Sequence, residues 1–254
     1  MKIKETATVL GQMQLTEGVY SLLLQTKIVE YAKPGQFINI FPKDKSKLLP
    51  RPISICEINK EYGTLRVVYR TVGAGTEEFS ELKMGDSIDV MGPLGNGFPL
   101  EGKKAIVVGG GIGVPPMLEL AKQLSGEVIA VMGYRNYDLF LRDELSHAAS
   151  ELIIATDDGS LGVHGTVVDA MKEKQLEADV IYACGPKPML KGVAEYAAEH
   201  NIKCYVSMEE RMACGVGACL GCVCQSTEVD DHSHVHNKRV CKDGPVFLST
   251  EVVL

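Results

Sequence analysis

The chain has 254 residues, 45% hydrophobic and 23% charged, with a formal net charge of −7 and a pI of about 5.4. That is enough apolar material for one or two packed domains, at about one per 150 residues. An acidic chain without long basic runs argues against nucleic acid as the main partner. No apolar stretch reaches the roughly 18 residues of a membrane helix, so no membrane partner is expected.

The start, Met1-Lys2-Ile3-Lys4-Glu5, is polar and has no signal-peptide core, which points to the cytoplasm. There, eight cysteines read as metal or redox groups where they cluster, not as structural disulfides.

Residues 1–98 are β-rich. Short β-branched and aromatic runs lie at 20–25, 36–41, 52–56 and 65–70, separated by turns such as Pro34-Gly35 and Tyr62-Gly63. This predicts an antiparallel barrel, with one helix over 76–83 and a linker at 92–99. Arg51, Pro52, Ile53 and Ser54 open one strand, and Val68, Tyr69 and Arg70 close another. Gly75 and Thr76 then begin the helix. Two arginines suit phosphates, the helix start offers N–H and hydroxyl donors, and Tyr69 offers a ring to stack. Their order points to a dinucleotide between barrel and sheet.

Residues 101–205 alternate in period. Apolar strands are expected at 105–108, 128–131, 152–155 and 180–183. Met117, Leu120, Ala121 and Leu124 mark a helix face. The pattern is that of a doubly wound parallel sheet. After the first strand come Gly109, Gly110, Gly111 and Gly113, then Pro115-Pro116 at a helix start. This suits a pyrophosphate. Cys184, Gly185 and Pro186 follow the last strand, so both loops fall on the ligand edge of the sheet. Tyr134-Arg135 suits a 2′-phosphate, whereas Asp157-Asp158 suits a ribose hydroxyl.

Residues 206–254 carry Cys214, Cys219 and Cys222 at C-x4-C-x2-C spacing, with Cys241 further on. This is plant-type [2Fe–2S] spacing. Gly215, Gly217 and Gly221 let the backbone wrap the cluster and aim N–H groups at sulfur. A structural zinc site is the alternative, although zinc knots pair C-x2-C units. Cys224, Cys56 and Cys204 read as small buried hydrophobes. His232, His234 and His236 read as a solvated loop with some metal-binding capacity.

The order R-P-x-S, Y-R-x-V-G-x-G-T, G-G-G-I-G-x-P-P and C-G-P resembles the ferredoxin–NADP reductase superfamily over nearly the whole chain. The tail from Glu210 to Cys222, closed by Val240 to Phe247, resembles the electron-transfer subunits of B-type dihydroorotate dehydrogenases. That resemblance implies FAD on the barrel, contacted by Arg51, Pro52, Ile53, Ser54, Val68, Tyr69, Arg70, Gly75 and Thr76. It implies NAD on the sheet domain and one [2Fe–2S] cluster on Cys214, Cys219, Cys222 and Cys241. It further implies an FMN-bearing TIM-barrel partner that oxidises dihydroorotate, in a heterotetramer of two plus two. Electrons would run from FMN through cluster and FAD to NAD⁺, and no side chain is assigned as a general acid or base. The alternatives are a self-contained reductase, the small subunit of an NADH-dependent ferredoxin:NADP oxidoreductase, and a zinc-stabilised binding module.

Overall fold

The computed structural model describes residues 1–229 and 234–254. The N-terminal strands are β1 (Ile3–Thr16), β2 (Val19–Gln25), β3 (Phe37–Phe41), β4 (Arg51–Asn59), β5 (Thr64–Arg70) and β6 (Ser87–Leu94), with helix α1 (Ala74–Ser80) between the last two. They close into a barrel in the order β1-β2-β5-β4-β3-β6, with every pairing antiparallel. Alternation sorts the strands into two faces. Ile38, Ile40, Ile55, Leu65, Val67 and Tyr69 fill the interior. Phe37, Val68 and Leu94 instead join the apolar layers that run on into the second domain.

The second domain contains β7 (Lys104–Gly110), α2 (Pro115–Gln123), β8 (Glu127–Tyr134), α3 (Arg142–Ala148), β9 (Glu151–Thr156), β10 (Val163–His164), α4 (Val167–Glu173), β11 (Val180–Cys184), α5 (Lys187–Glu199) and β12 (Lys203–Ser207). The tail adds β13 (Val223–Gln225), β14 (Asn237–Arg239), α6 (Val240–Asp243) and β15 (Val246–Leu248). The sheet order is β10-β9-β8-β7-β11-β12-β15, parallel except for β15. The chain winds outward from β7 through β10 and returns to β11, so the switch point lies between β7 and β11.

The tail is stitched to both domains. β15 extends the sheet along β12, pairing Ser207 with Val246. On the barrel side, Asn96 N–H donates to the Gly244 carbonyl at 2.6 Å, and Asn96 Nδ2 donates to the Asp243 carbonyl at 2.8 Å. Barrel and sheet also meet directly. Glu119 on α2 is buried, and its Oε2 accepts the Ile58 N–H of β4 at 2.7 Å. Arg66 of the barrel pairs with Glu57 at 2.6 Å and reaches Glu144 of α3 at 3.4 Å, while Lys122 of α2 pairs with Glu57. These contacts fix the wall of the barrel against α2 and α3 of the sheet domain.

The stretch 92–99 differs from expectation. It reads as a linker, yet Gly92, Pro93 and Leu94 complete β6. Leu94 pairs with Phe37 of β3 and is fully buried, and this barrel pairing overrides the turn chemistry of Gly-Pro. No strand was expected at β1, whose Thr, Glu, Gln and Gly residues dilute the apolar alternation.

Candidate functional site

The flavin-candidate residues gather on one wall of the barrel. Register pairs Pro52 with Asn39 and Ser54 with Phe37 across β4 and β3. Phe37 lies outside the barrel interior, so Pro52 and Ser54 share that outer face with it. Ile53 points the other way, opposite Ile38, and packs on the interior. On β5, Val68 and Arg70 alternate with Tyr69. Val68 is buried toward the sheet domain and Arg70 is exposed.

The Tyr69 ring corrects the expectation of stacking on a planar ligand. It is 1% exposed and lies inside the barrel, edge-on to Phe79, with its hydroxyl donating to Gln12 Oε1 at 2.9 Å. Only its backbone remains for a ligand. Period-two alternation carries this signal: with Leu65 and Val67 inward, Tyr69 must be inward too.

Arg51 and the start of α1 form one unit. A Cβ on Gly75 would stand 2.4 Å from Arg51 Nε, so the guanidinium lies directly on the first helical turn. The hydroxyl of Thr76 donates to the Gly73 carbonyl at 2.9 Å and accepts the Val72 N–H at 2.9 Å. Thr76 therefore shapes the turn. The guanidinium and the first free helix N–H groups form the positive end of the site. Replacing Arg51 with Ala removes a charge-assisted donor pair worth about 1.5–3 kcal/mol. We expect FAD affinity to fall about 10- to 100-fold, measured by titrating FAD into deflavinated protein.

The two loops at the switch point touch. A Cβ on Gly113 would lie 2.2 Å from the Cys184 carbonyl oxygen and 2.7 Å from Gly185 N. Gly109 packs against Val114 and Met132, while Gly110 and Gly185 both face the Met189 thioether. Gly111 faces open space. Pro115 and Pro116 occupy the first turn of α2, and Pro186 caps α5. Of these glycines, Gly111 faces open space and the others allow close packing of the two loops. Cys184 is buried at the end of β11. Burial pushes its thiol up to about 12, with a Ser207 hydrogen bond opposing the shift and Glu209 adding to it. Ser207, Glu209 and Met189 carry no motif of their own and were not singled out in the sequence. Asp157 and Asp158 fold back onto Tyr134 and Arg135 through backbone bonds of 3.1 and 3.2 Å. Both candidate ribose determinants therefore share one corner.

The cluster loop lies on the barrel wall next to the flavin candidates. Val216 N–H and Ala218 N–H donate to Cys214 Sγ at 3.4 and 3.3 Å, and Gly217 N–H donates to Cys241 Sγ at 3.1 Å. Gly221 N–H donates to Cys219 Sγ and Cys241 N–H to Cys222 Sγ, both at 3.4 Å. The thiols also act on one another: Cys219 on Cys214, and Cys222 and Cys214 on Cys241. Burial raises the Cys214 thiol, but N–H groups of Val216 and Cys219 oppose it and hold it near 6. Burial and the neighbouring Cys222 push Cys241 up to about 12.

Four cysteines on this loop and on α6 would suit two irons. The C-x4-C-x2-C spacing, and not paired C-x2-C units, favours that cluster over zinc. Cys224 is buried on β13. His234 and His236 are exposed, and His232 lies outside the described residues.

A closed antiparallel barrel, a doubly wound sheet with glycine loops at its switch point and a four-cysteine tail stitched to both define a ferredoxin-reductase-like oxidoreductase with an iron–sulfur segment. Comparison with known proteins agrees. Residues 209–253 match the iron–sulfur cluster binding domain of dihydroorotate dehydrogenase B. The chain is 45% identical to the electron transfer subunit of dihydroorotate dehydrogenase B (NAD(+)) of Bacillus caldolyticus, covering 99% of each. It is 43% identical to that of Streptococcus mutans, covering all of both. The chain belongs to this family of electron transfer subunits. Among solved structures, a chain of the NADH-dependent reduced ferredoxin–NADP oxidoreductase superposes with a TM-score of 0.87 at 30% identity, covering 97% of this chain and 89% of that one. A ferredoxin NADP⁺ reductase of Neisseria gonorrhoeae, with bound FAD and NADP, shares the fold at a TM-score of 0.66 and 18% identity. It covers 82% of this chain and 94% of that one.

Proposed function

We propose that this chain carries electrons from the FMN of a dihydroorotate-oxidising catalytic subunit, through a [2Fe–2S] cluster and FAD, to NAD⁺. The observation that carries the reading is a shared wall. The Cys214 loop lies on β3 and β6, and the flavin candidates lie on β4 and β5 of the same barrel. Neighbouring strands are about 4.8 Å apart, so the loop on β3 and the residues on β4 are adjacent, which supports the reading.

FAD rests on Arg51, Pro52, Ser54, Val68, Arg70, Gly75, Thr76 and the backbones of Ile53 and Tyr69. When bound, it supplies the conversion between hydride exchange with NAD and single-electron exchange with the cluster. NAD lies along Gly109, Gly110, Gly111, Gly113, Cys184, Gly185 and Pro186, with Gly111 facing it. Cys214, Cys219, Cys222 and Cys241 hold the cluster. The units are 1–98 for FAD, 101–205 for NAD and 206–254 for the cluster. The partner assembles with this chain as two plus two in the cytoplasm. No helix among the described residues is long and apolar enough to cross a membrane.

The test is co-expression with a dihydroorotate-oxidising FMN protein. We expect co-purification, flavin and iron–sulfur absorption together, and NAD⁺ reduction by dihydroorotate. A pair that binds but leaves NAD⁺ unreduced would reject the assignment.

A further inference from the structure

Asn39 lies between the two redox sites without belonging to either. It is fully buried on β3, opposite Pro52 on one side and Met91 on the other. Its Nδ2 donates to the Cys214 carbonyl through a long bond of 3.4 Å. Gly215, next in the loop, has φ of +69° and presses on this amide. A Cβ there would stand 2.4 Å from Nδ2 and 3.1 Å from Leu94 Cδ1. Asn39 Oδ1 is the one buried side-chain nitrogen or oxygen among the described residues without a hydrogen-bond partner.

A bare buried acceptor forfeits its hydration without a replacement bond, and an apolar residue of this size would fill the space without that cost. A polar side chain here therefore needs a use, and its neighbours indicate one. The amide spans the strand beside Pro52 and the backbone of the first cluster cysteine.

We propose that Asn39 is a positioning residue that clasps the cluster loop to the flavin-bearing wall of the barrel. Nδ2 holds the Cys214 carbonyl, and Oδ1 is reserved for a loop N–H as the four sulfurs close. The inference rests on the function proposed above. The step it serves makes and breaks no bond to the chain. In the proposed direction the partner's FMN would reduce one ferric ion of the cluster at a time, and each electron would pass singly to the flavin. After two transfers and uptake of a proton the flavin would give a hydride to NAD⁺; NADH drives the same transfer in reverse.

The test uses the assembled complex carrying Asn39→Leu, with Asn39→Asp, equal in size but lacking the donor, as the second variant. Two readouts are made: amide hydrogen exchange over residues 214–217, and anaerobic stopped-flow reduction by NADH. Losing a bond of about 1–1.4 kcal/mol predicts five- to tenfold faster exchange in that loop. Flavin reduction by NADH should keep its wild-type rate, while the following electron transfer to the cluster slows severalfold. Unchanged loop exchange together with an unchanged flavin-to-cluster rate, in whichever variant folds, would overturn the proposal. Wild-type protein lacking flavin or cluster absorption would instead sink the function on which it rests.

Discussion

Cys219→Ala is expected to abolish the iron–sulfur spectrum while leaving the flavin in place. Cys219 is the exposed member of the four, so its truncation should cost the fold no more than about 0.5 kcal/mol. On the proposed ligand set it nonetheless leaves three thiolates where the cluster needs four. NADH should still bleach the flavin and reduce an artificial dye at the wild-type rate. Electron exchange with the dihydroorotate-oxidising partner should fall to background. Iron analysis, visible spectra and both assays on one preparation check this. Cys224→Ala is the control. That cysteine is also near the loop, but its thiol lies buried on β13, and burial is the main cause of its raised pKa. Its loss should leave iron content unchanged. Loss of iron in Cys224→Ala with retention in Cys219→Ala would overturn the ligand assignment.

The contrast between these two cysteines shows what the sequence could reveal. Spacing alone separates Cys219 from Cys224, because cluster geometry restricts the spacing of ligands along a loop. The doubly wound sheet was equally legible, since its buried strands are near-continuous apolar runs such as Ala105–Val108. What was hidden depended on which way a residue faces once strands pair. Tyr69 sits in a motif that suggests a stacking ring, and only the inward register of Leu65 and Val67 turns it into the barrel. Asn39 is an unremarkable polar residue in an apolar strand until the chain brings Cys214, 175 residues away, onto its amide. The Ser207–Cys184 contact likewise depends on the pairing of β11 with β12. Long-range pairing of this kind leaves no local periodicity to read.

Glycine at the switch point shows the same dependence and carries the second large effect. Gly113 stands in a motif usually read as making room for a pyrophosphate. Here its missing side chain makes room for protein. A Cβ would lie 2.2 Å from the Cys184 carbonyl oxygen and 2.5 Å from its carbon, and both are backbone atoms. A flexible side chain could swing away, but β11 is a central strand held by β7 and β12 and cannot. Gly113→Ala must therefore push the Gly109–Gly113 loop away from the Cys184–Pro186 loop. Such overpacking costs about 1–3 kcal/mol of stability. The face formed by these two loops is the proposed nicotinamide site, so the effect on NADH should exceed the effect on folding. We expect kcat/KM for NADH-dependent dye reduction to drop about 100-fold, which corresponds to about 2.7 kcal/mol of lost transition-state stabilisation. FAD content and the cluster spectrum should be unchanged, because the atoms nearest a Gly113 Cβ all belong to the Cys184–Gly185 backbone. Gly111→Ala separates packing from ligand contact. A Cβ at Gly111 meets nothing within 4 Å, although its φ of +54° adds some strain. If Gly111→Ala spares stability yet raises KM for NADH, this face binds the nucleotide at Gly111. If Gly113→Ala lowers thermal stability without changing kcat/KM, the two loops serve the fold and the nicotinamide lies elsewhere.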